Sequence, residues 1–447
     1  MYLFGCSKNL VDTEVAIGIF KRNNFNIVNN PKEADIIVVN TCGFINSAKE
    51  EAINTILEMA EYKKKRCKYL VVMGCLAQRY YNELVDAFPE VDLFVKLSSY
   101  DEFWKQVEQM LNNDVKIEKE SKPQSIINMP QMPMFEEQDY LNKVITTGEN
   151  YAYLKISEGC SNRCTYCAIP YIRGAINSRR MEDILEEAEN LAEQGIKELI
   201  VIAQDTTKYG MDIYGEYKLP ELLEKLSKVE GIKWIRFLYS YPETITDELI
   251  KVVKNNDKIC KYFDIPIQHI ANPVLKRMNR KTTGEDIRNV IAKLRKNIPK
   301  VIIRTTVMVG FPGETQQDFD ELLDFVKQTK FNKLGAFMYS KEDGTPAAKL
   351  DGDIHHMTKK SRYNKIMSAQ KEISKELLEK NRGMEYDVLI DGMSFDRKYL
   401  IGRTSMDVPD IDGVVYIKND DKSLIGSFVK CKITDVEEYD LIGKITE

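Results

Sequence analysis

The stretch Glu158-Gly159-Cys160-Ser161-Asn162-Arg163-Cys164-Thr165-Tyr166-Cys167 constrains this chain more than any other. Three cysteines at CxxxCxxC spacing offer one metal centre three thiolates and no fourth. A structural zinc site closes with four ligands, and a ferredoxin-type cluster takes four thiolates. Three thiolates leave one iron of a [4Fe-4S] cluster open, and an open iron is where a substrate can be ligated. A zinc knuckle and a fortuitous spacing are the competing readings.

The other cysteines sort by context. The chain has 447 residues and nine cysteines, an odd count that suits a reducing compartment better than a disulfide framework. Cys6, Cys42 and Cys75 each follow a short apolar run and each sits beside a glycine. Residues 35–40 and 69–73 read as buried parallel strands, and 47–64 between them has helical spacing, so residues 1–118 are expected to form a doubly wound α/β domain. Carboxyl ends of such strands share one edge, where ligands bind. The three thiols are therefore expected to converge there, and inert burial is the alternative. Cys67, Cys260 and Cys431 have no such setting and read as inert.

Residues 119–148, with Pro123, Pro130 and Pro133 and no clear period, read as a linker. Strands are expected at 151–157, 198–203, 234–239, 262–267, 301–309 and 333–339, separated by helical patterns such as 181–194 and 317–328. Six βα units make a partial (β/α)6 barrel over 149–380, with functional residues at strand carboxyl ends. The CxxxCxxC loop follows the first of these strands. Residues 381–447 change character. Short strands at 386–390, 399–402, 414–417 and 429–436 between Gly/Asp-rich turns predict a small antiparallel β-barrel.

The CxxxCxxC stretch, with Tyr166 before its last cysteine, resembles the radical S-adenosylmethionine (SAM) enzymes. Nearly the whole chain resembles one branch of them, the methylthiotransferases. The matching stretches are Gly5-Cys6-Ser7-Lys8-Asn9-Leu10-Val11-Asp12, Asn40-Thr41-Cys42, Met73-Gly74-Cys75 and Cys167-Ala168-Ile169-Pro170-Tyr171-Ile172-Arg173-Gly174 with Ser178-Arg179. Ala203-Gln204-Asp205-Thr206-Thr207-Lys208-Tyr209-Gly210 is most similar to the branch that modifies protein twelve of the small ribosomal subunit. One departure is visible: relatives usually carry a longer first strand before the Gly-Cys of Gly5-Cys6.

The resemblance implies two [4Fe-4S] clusters. One, on Cys160, Cys164 and Cys167, would bind SAM and yield a 5′-deoxyadenosyl radical that takes hydrogen from the β-carbon of a substrate aspartate. The other, on Cys6, Cys42 and Cys75, would carry the methylated sulfur joined to that carbon, a second SAM supplying the methyl. It also implies a C-terminal domain of TRAM type, a basic ribosomal protein as substrate, and an electron donor such as a flavodoxin. Methylthiolation of a tRNA adenosine is the alternative.

Candidate SAM-binding residues are Tyr166, Gln204, Asp205, Arg304 and Gly310, although strand-to-helix turns also favour Asp and Gly. His269 is a candidate substrate contact. Residues 383–447 hold fourteen Asp/Glu against eight Lys/Arg, a balance of −6. Such a module is expected to repel tRNA phosphates and attract a basic protein, with Asp407, Asp410 and Asp412 as contacts. The absence of a long apolar run or a secretory leader pattern predicts a cytoplasmic protein with no membrane span.

Overall fold

The computed structural model describes residues 2–3, 5–113, 131–148 and 150–446. The N-terminal unit is a parallel sheet in sequential order: β1 (Tyr2–Leu3), β2 (Ile36–Thr41), β3 (Tyr69–Gly74) and β4 (Leu93–Val95). Val38, Val71 and Met73 pack on α1 (Ser7–Arg22), while Ile37, Val39, Leu70 and Val72 pack on α2 (Asn46–Ala60). Covering both faces is what the unbroken apolar runs of β2 and β3 demand. Strand β4, three residues long, carries too little pattern to announce itself in the sequence.

The central unit begins with β5 (Tyr151–Lys155). A two-residue hairpin of β6 (Ser157–Glu158) and β7 (Asn177–Ser178) then brackets the CxxxCxxC loop. The remaining parallel strands are β8 (Glu198–Ile202), β9 (Trp234–Phe237), β10 (Tyr262–Gln268), β11 (Ile302–Val309) and β12 (Lys333–Met338). Backbone hydrogen bonds from Cys260 to Ile235 (2.9 Å) and from Ser240 to Asp264 (2.8 Å) join β9 to β10. Six strands thus form one open arc. Ala152, Leu154, Leu199, Val201 and Ile235 face the outer helices. Their alternates Tyr151, Tyr153, Ile200, Ile202, Trp234 and Tyr262 share a core with Val11 and Val15 of α1 and with Leu389 and Val408 of the last domain. The inside of the arc is therefore filled by its two neighbours.

Those neighbours sit at opposite ends. The N-terminal unit covers the strand carboxyl ends. It is tied to β5 through Asp12 and Lys155 (2.5 Å), and to the loop after β12 through Lys49 and Glu342 (3.1 Å). It spans the gap that the open arc leaves between its first and last strands.

The C-terminal unit is a closed barrel in the order β13 (Glu385–Met393), β14 (Leu400–Arg403), β15 (Val415–Ile417), β17 (Leu441–Ile445), β16 (Phe428–Val436). All its pairs are antiparallel except β15 with β17. It docks on the amino ends of the arc. Arg403 reaches Glu198 at 2.8 Å, and Arg236 holds the other Glu198 oxygen at 2.9 Å.

That docking corrects an expectation. Asp407 pairs with Lys333 (2.6 Å), Asp410 accepts from Tyr151 (3.0 Å) and Asp412 accepts from Tyr262 (2.7 Å). Asp407 and Asp412 are fixed at the domain seam, and Asp410, although solvent-exposed, is engaged there too. These three are attachment residues, not a patch awaiting a basic partner. Arg304 belongs to the same seam, 2.8 Å from Asp264 and 3.9 Å from Asp412. It lies near the start of β11, at the end opposite the cysteine loop, and is not placed to touch SAM.

The expected linker lies partly outside the described residues; its remainder, 131–148, is packed in place. It holds a short helix (Glu137–Leu141), Phe135 stacked on Tyr100 with centroids 4.5 Å apart, and Glu137 paired with the buried Arg179. Among the described residues no helix is long and apolar enough to cross a membrane.

Removing one partner of a buried ion network leaves the others uncompensated, at a cost of about 3–5 kcal/mol. Glu198→Ala is therefore expected to lower the unfolding midpoint sharply and to expose the junction near residues 381–384 to proteolysis. A domain that stays docked and protease-resistant in this variant contradicts the seam described here.

Candidate functional site

Gly74 and Gly5 shape one half of the site. Both have φ near +100° (98° and 117°), and a Cβ on Gly74 would lie 2.2 Å from Asn40 Oδ1. These turns bring Cys6, at the mouth of α1, Cys42, just past β2, and Cys75, opening the helix after β3, to one edge. The Cys75 thiol senses both Cys42 and Cys6 electrostatically, Cys42 senses Cys6, and a Cβ on Gly5 would approach Cys42 Sγ to 3.5 Å. The three do converge. Burial pushes the Cys75 thiol up to about 12, against the lowering pull of Arg173.

The second half is the loop between β6 and β7. Burial raises the Cys160 and Cys167 thiols, Cys160 to about 12; Cys164 adds to both shifts and Cys160 to that of Cys167, so the three lie close together. Asn162 Nδ2 lies 3.5 Å from Cys160 Sγ. Arg280 Nη1 and the Tyr241 hydroxyl each lie 3.9 Å from Cys164 Sγ. Among the described residues no three His, Cys, Asp or Glu side chains close tightly enough around a single ion. A tetrahedral zinc needs its sulfurs about 3.8 Å apart, whereas a four-iron cube takes one thiolate per iron at separate corners and asks for wider spacing. Each triad offers three thiolates, the donor set of a four-iron cube with one iron left open.

Arg173 joins the halves. It is carried by the short helix Ile169–Arg173 that ends the cysteine loop, yet it points across the domain boundary. Its guanidinium donates to Asn9 Oδ1 (2.5 Å), Asp12 Oδ2 (3.1 Å) and Glu158 Oε2 (2.7 Å), while Asn9 Oδ1 lies 3.5 Å from Cys75 Sγ. Lys155 closes the ring by donating to Asp12 (2.5 Å) and Glu158 (3.0 Å). Burial alone would raise the Glu158 carboxyl, but the charges of Arg173 and Lys155 outweigh it and hold the group ionised.

Three of the expected SAM contacts gather at the second triad. Gln204 donates to Glu158 Oε1 (2.5 Å) and leaves its own Oε1 buried without a partner. Asp205 accepts from Asn162 (2.7 Å), and Tyr166 meets the Phe311 ring edge-on at 6.4 Å. The partnerless Gln204 oxygen and a similarly buried Ser240 hydroxyl suit a ligand rich in donors and acceptors, such as the aminocarboxylate of SAM. Gly310 has a simpler explanation than ligand approach: a Cβ there would strike Lys359 at 2.3 Å. His269 is fully buried, its Nδ1 accepting from the Ala271 amide (3.0 Å), and burial lowers it to about 4, so it is neutral. It is not exposed to a substrate.

Sequence reading missed Lys155, Tyr241 and Arg280. Nothing in their local pattern marks them, because their roles arise from elements far apart in the chain. Glu158 and Arg173 flank the cysteines inside recognisable stretches, and their proximity was the available signal.

Residues 154–326 match the Radical SAM superfamily, residues 1–96 match uncharacterized protein family UPF0004, and residues 383–446 match the TRAM domain. The chain is 62% identical over 442 residues to ribosomal protein uS12 methylthiotransferase RimO of Alkaliphilus oremlandii, covering 99% of this chain and 97% of that protein. It is 50% identical to the protein of that name from Acetivibrio thermocellus (99% and 96% covered). The protein of that name from Clostridioides difficile is also 50% identical (99% and 97% covered). Among solved structures, the radical S-adenosylmethionine methyltransferase TsrM of Kitasatospora setae superposes with a TM-score of 0.53 at 13% identity. That match covers 84% of this chain and 76% of that one, and it bears on the fold alone.

Thiolate, not thiol, reacts with alkylating agents. In cluster-free protein at pH 8, iodoacetamide is expected to label the exposed Cys6 well before Cys75 and Cys160. Labelling of the latter two should accelerate about tenfold per pH unit while they remain mostly protonated. Equal rates at all three, read by peptide mass spectrometry, would contradict the burial described.

Proposed function

The chain belongs to the uS12 methylthiotransferase family of radical SAM enzymes, and from that premise we propose that it joins a methylthio group to the β-carbon of an aspartate in ribosomal protein uS12. The observation that carries this reading is the pair of cysteine triads on two domains that Arg173 ties together. Cys160, Cys164 and Cys167 would hold the cluster that binds SAM; Cys6, Cys42 and Cys75 would hold the cluster that presents sulfur. Loaded in this way, the site supplies radical chemistry able to open an unactivated C–H bond.

The chain's own residues do the positioning. Asn162 and Arg280 donate toward the sulfurs of Cys160 and Cys164 and help hold those side chains in place. Gln204 and Asp205 line the same end of the arc and offer polar contacts to SAM. The N-terminal unit covers that end, so water is kept from a reactive species.

A protein substrate is favoured over tRNA by the names of the relatives and by the acidic balance of residues 383–447. With Asp407, Asp410 and Asp412 engaged at the seam, any attraction for a basic partner rests on the domain's other carboxylates. The cytoplasm, where ribosomes are made, is the proposed location, with a flavodoxin-like protein as electron donor.

Anaerobically reconstituted protein is expected to hold about eight irons, four per cluster. Changing Cys160, Cys164 and Cys167 to Ala should halve the iron and abolish SAM cleavage. Changing Cys6, Cys42 and Cys75 should halve the iron, keep SAM cleavage and stop methylthio transfer. Full iron in the second variant would remove the auxiliary-cluster assignment. An unmodified uS12 aspartate in wild-type cells, read by mass spectrometry, would remove the substrate.

A further inference from the structure

Lys8 lies in the first turn of α1, two residues after Cys6, and is 5% exposed. Its ammonium sits 3.0 Å from the centroid of the Tyr239 ring. Among the described residues it has neither a hydrogen-bond acceptor nor a carboxylate within ion-pair distance. Its neighbours at this end of the arc are different: Lys155 holds two carboxylates and Arg173 holds two.

The position is electrostatically poor. Buried cations are ordinarily paired, and the amino end of a helix carries partial positive charge that disfavours another cation. No acidic residue lies in the first turn of α1 to offset it. The ring face of Tyr239 supplies part of the compensation, at most about 2 kcal/mol. A full counter-charge is wanted from outside the chain.

The place of the cation narrows what that anion is. Tyr239 and Tyr241 leave the same end of β9. Tyr239 lies under Lys8, beside the first triad, and the Tyr241 hydroxyl lies 3.9 Å from Cys164 of the second. Lys8 thus packs, two residues after Cys6, on the strand end whose Tyr241 reaches the second triad, near where the reacting carbon must be held if both take part. We infer that the Lys8 ammonium is the counter-ion of a carboxylate, that of the substrate aspartate whose β-carbon reacts. This rests on the proposed aspartate methylthiolation and names its specificity residue. The carboxylate is bonded directly to the β-carbon, so clamping it fixes that carbon. An adenosine base carries no carboxylate, and the same lysine then discriminates against it.

The carboxylate of SAM has the same chemistry, and the clusters are also negative, so the test separates these sources. Reconstituted wild-type, Lys8→Met and Lys8→Arg proteins are titrated with purified uS12 and with uS12 whose target aspartate is asparagine. Binding is followed by fluorescence anisotropy; SAM binding, iron content and the cluster EPR spectrum are recorded in parallel. Methionine keeps the buried stem, and arginine keeps the charge. The wild-type protein is expected to bind the aspartate form about tenfold or more tighter than the asparagine form, as a charge-assisted pair requires. That preference should vanish in Lys8→Met and largely return in Lys8→Arg. A preference kept in Lys8→Met overturns the assignment. If SAM binding weakens there, the charge belongs to SAM; if iron or the EPR signal changes, it belongs to the cluster. Wild-type protein that modifies neither form of uS12 removes the substrate reading itself, and this assignment with it.

Discussion

A ring of four buried charges, Asp12, Lys155, Glu158 and Arg173, holds the two domains in register. Two acids face two bases, so the ring is neutral, and every member is almost wholly withdrawn from water. Such rings are weak contributors to net stability, since desolvation offsets most of the Coulomb attraction. Their strength lies in the penalty for any other arrangement. Sliding α1 by one turn along the cysteine loop would strand Asp12 and leave Lys155 and Arg173 with Glu158 alone between them. The geometry between the triads is thereby set by electrostatics rather than by apolar packing, which tolerates small shifts more readily.

The three-part architecture follows from an arc that does not close. Six strands leave a gap, and an inner face of Tyr151, Tyr153, Trp234 and Tyr262 must be covered. The N-terminal unit covers the carboxyl end and brings three thiols with it. The C-terminal barrel covers the amino end, through Glu198, Arg236 and Arg403. The chemistry sits under one neighbour, and the acidic barrel sits under the other end.

Much of this was legible in the sequence because it was written in local patterns. Apolar runs gave the buried strands, and the position of Cys6, Cys42 and Cys75 at strand ends gave their convergence. What was illegible was distance in the chain. Asp12 and Arg173 are ordinary charged residues until folding buries them together. Asp407, Asp410 and Asp412 looked like a free acidic patch because Lys333, Tyr151 and Tyr262 lie far away in sequence. Arg304 was placed near the chemistry because its strand was right, but it stands near the start of β11 and the carboxyl end carries the site. Gly310 illustrates a different limit: a glycine reports a close approach without saying whether the visitor is a ligand or, as here, Lys359. Strands β4 and β17 were missed because one is very short and the other closes a barrel through a parallel pairing.

The central claim is that two iron–sulfur clusters face each other across Arg173. Anomalous diffraction at the iron edge from crystals of the reconstituted protein tests it most directly. The account predicts two four-iron peaks, one within Cys6, Cys42 and Cys75 and one within Cys160, Cys164 and Cys167, with the Arg173 guanidinium between them. A single iron peak, or two on the same side of Arg173, would contradict it.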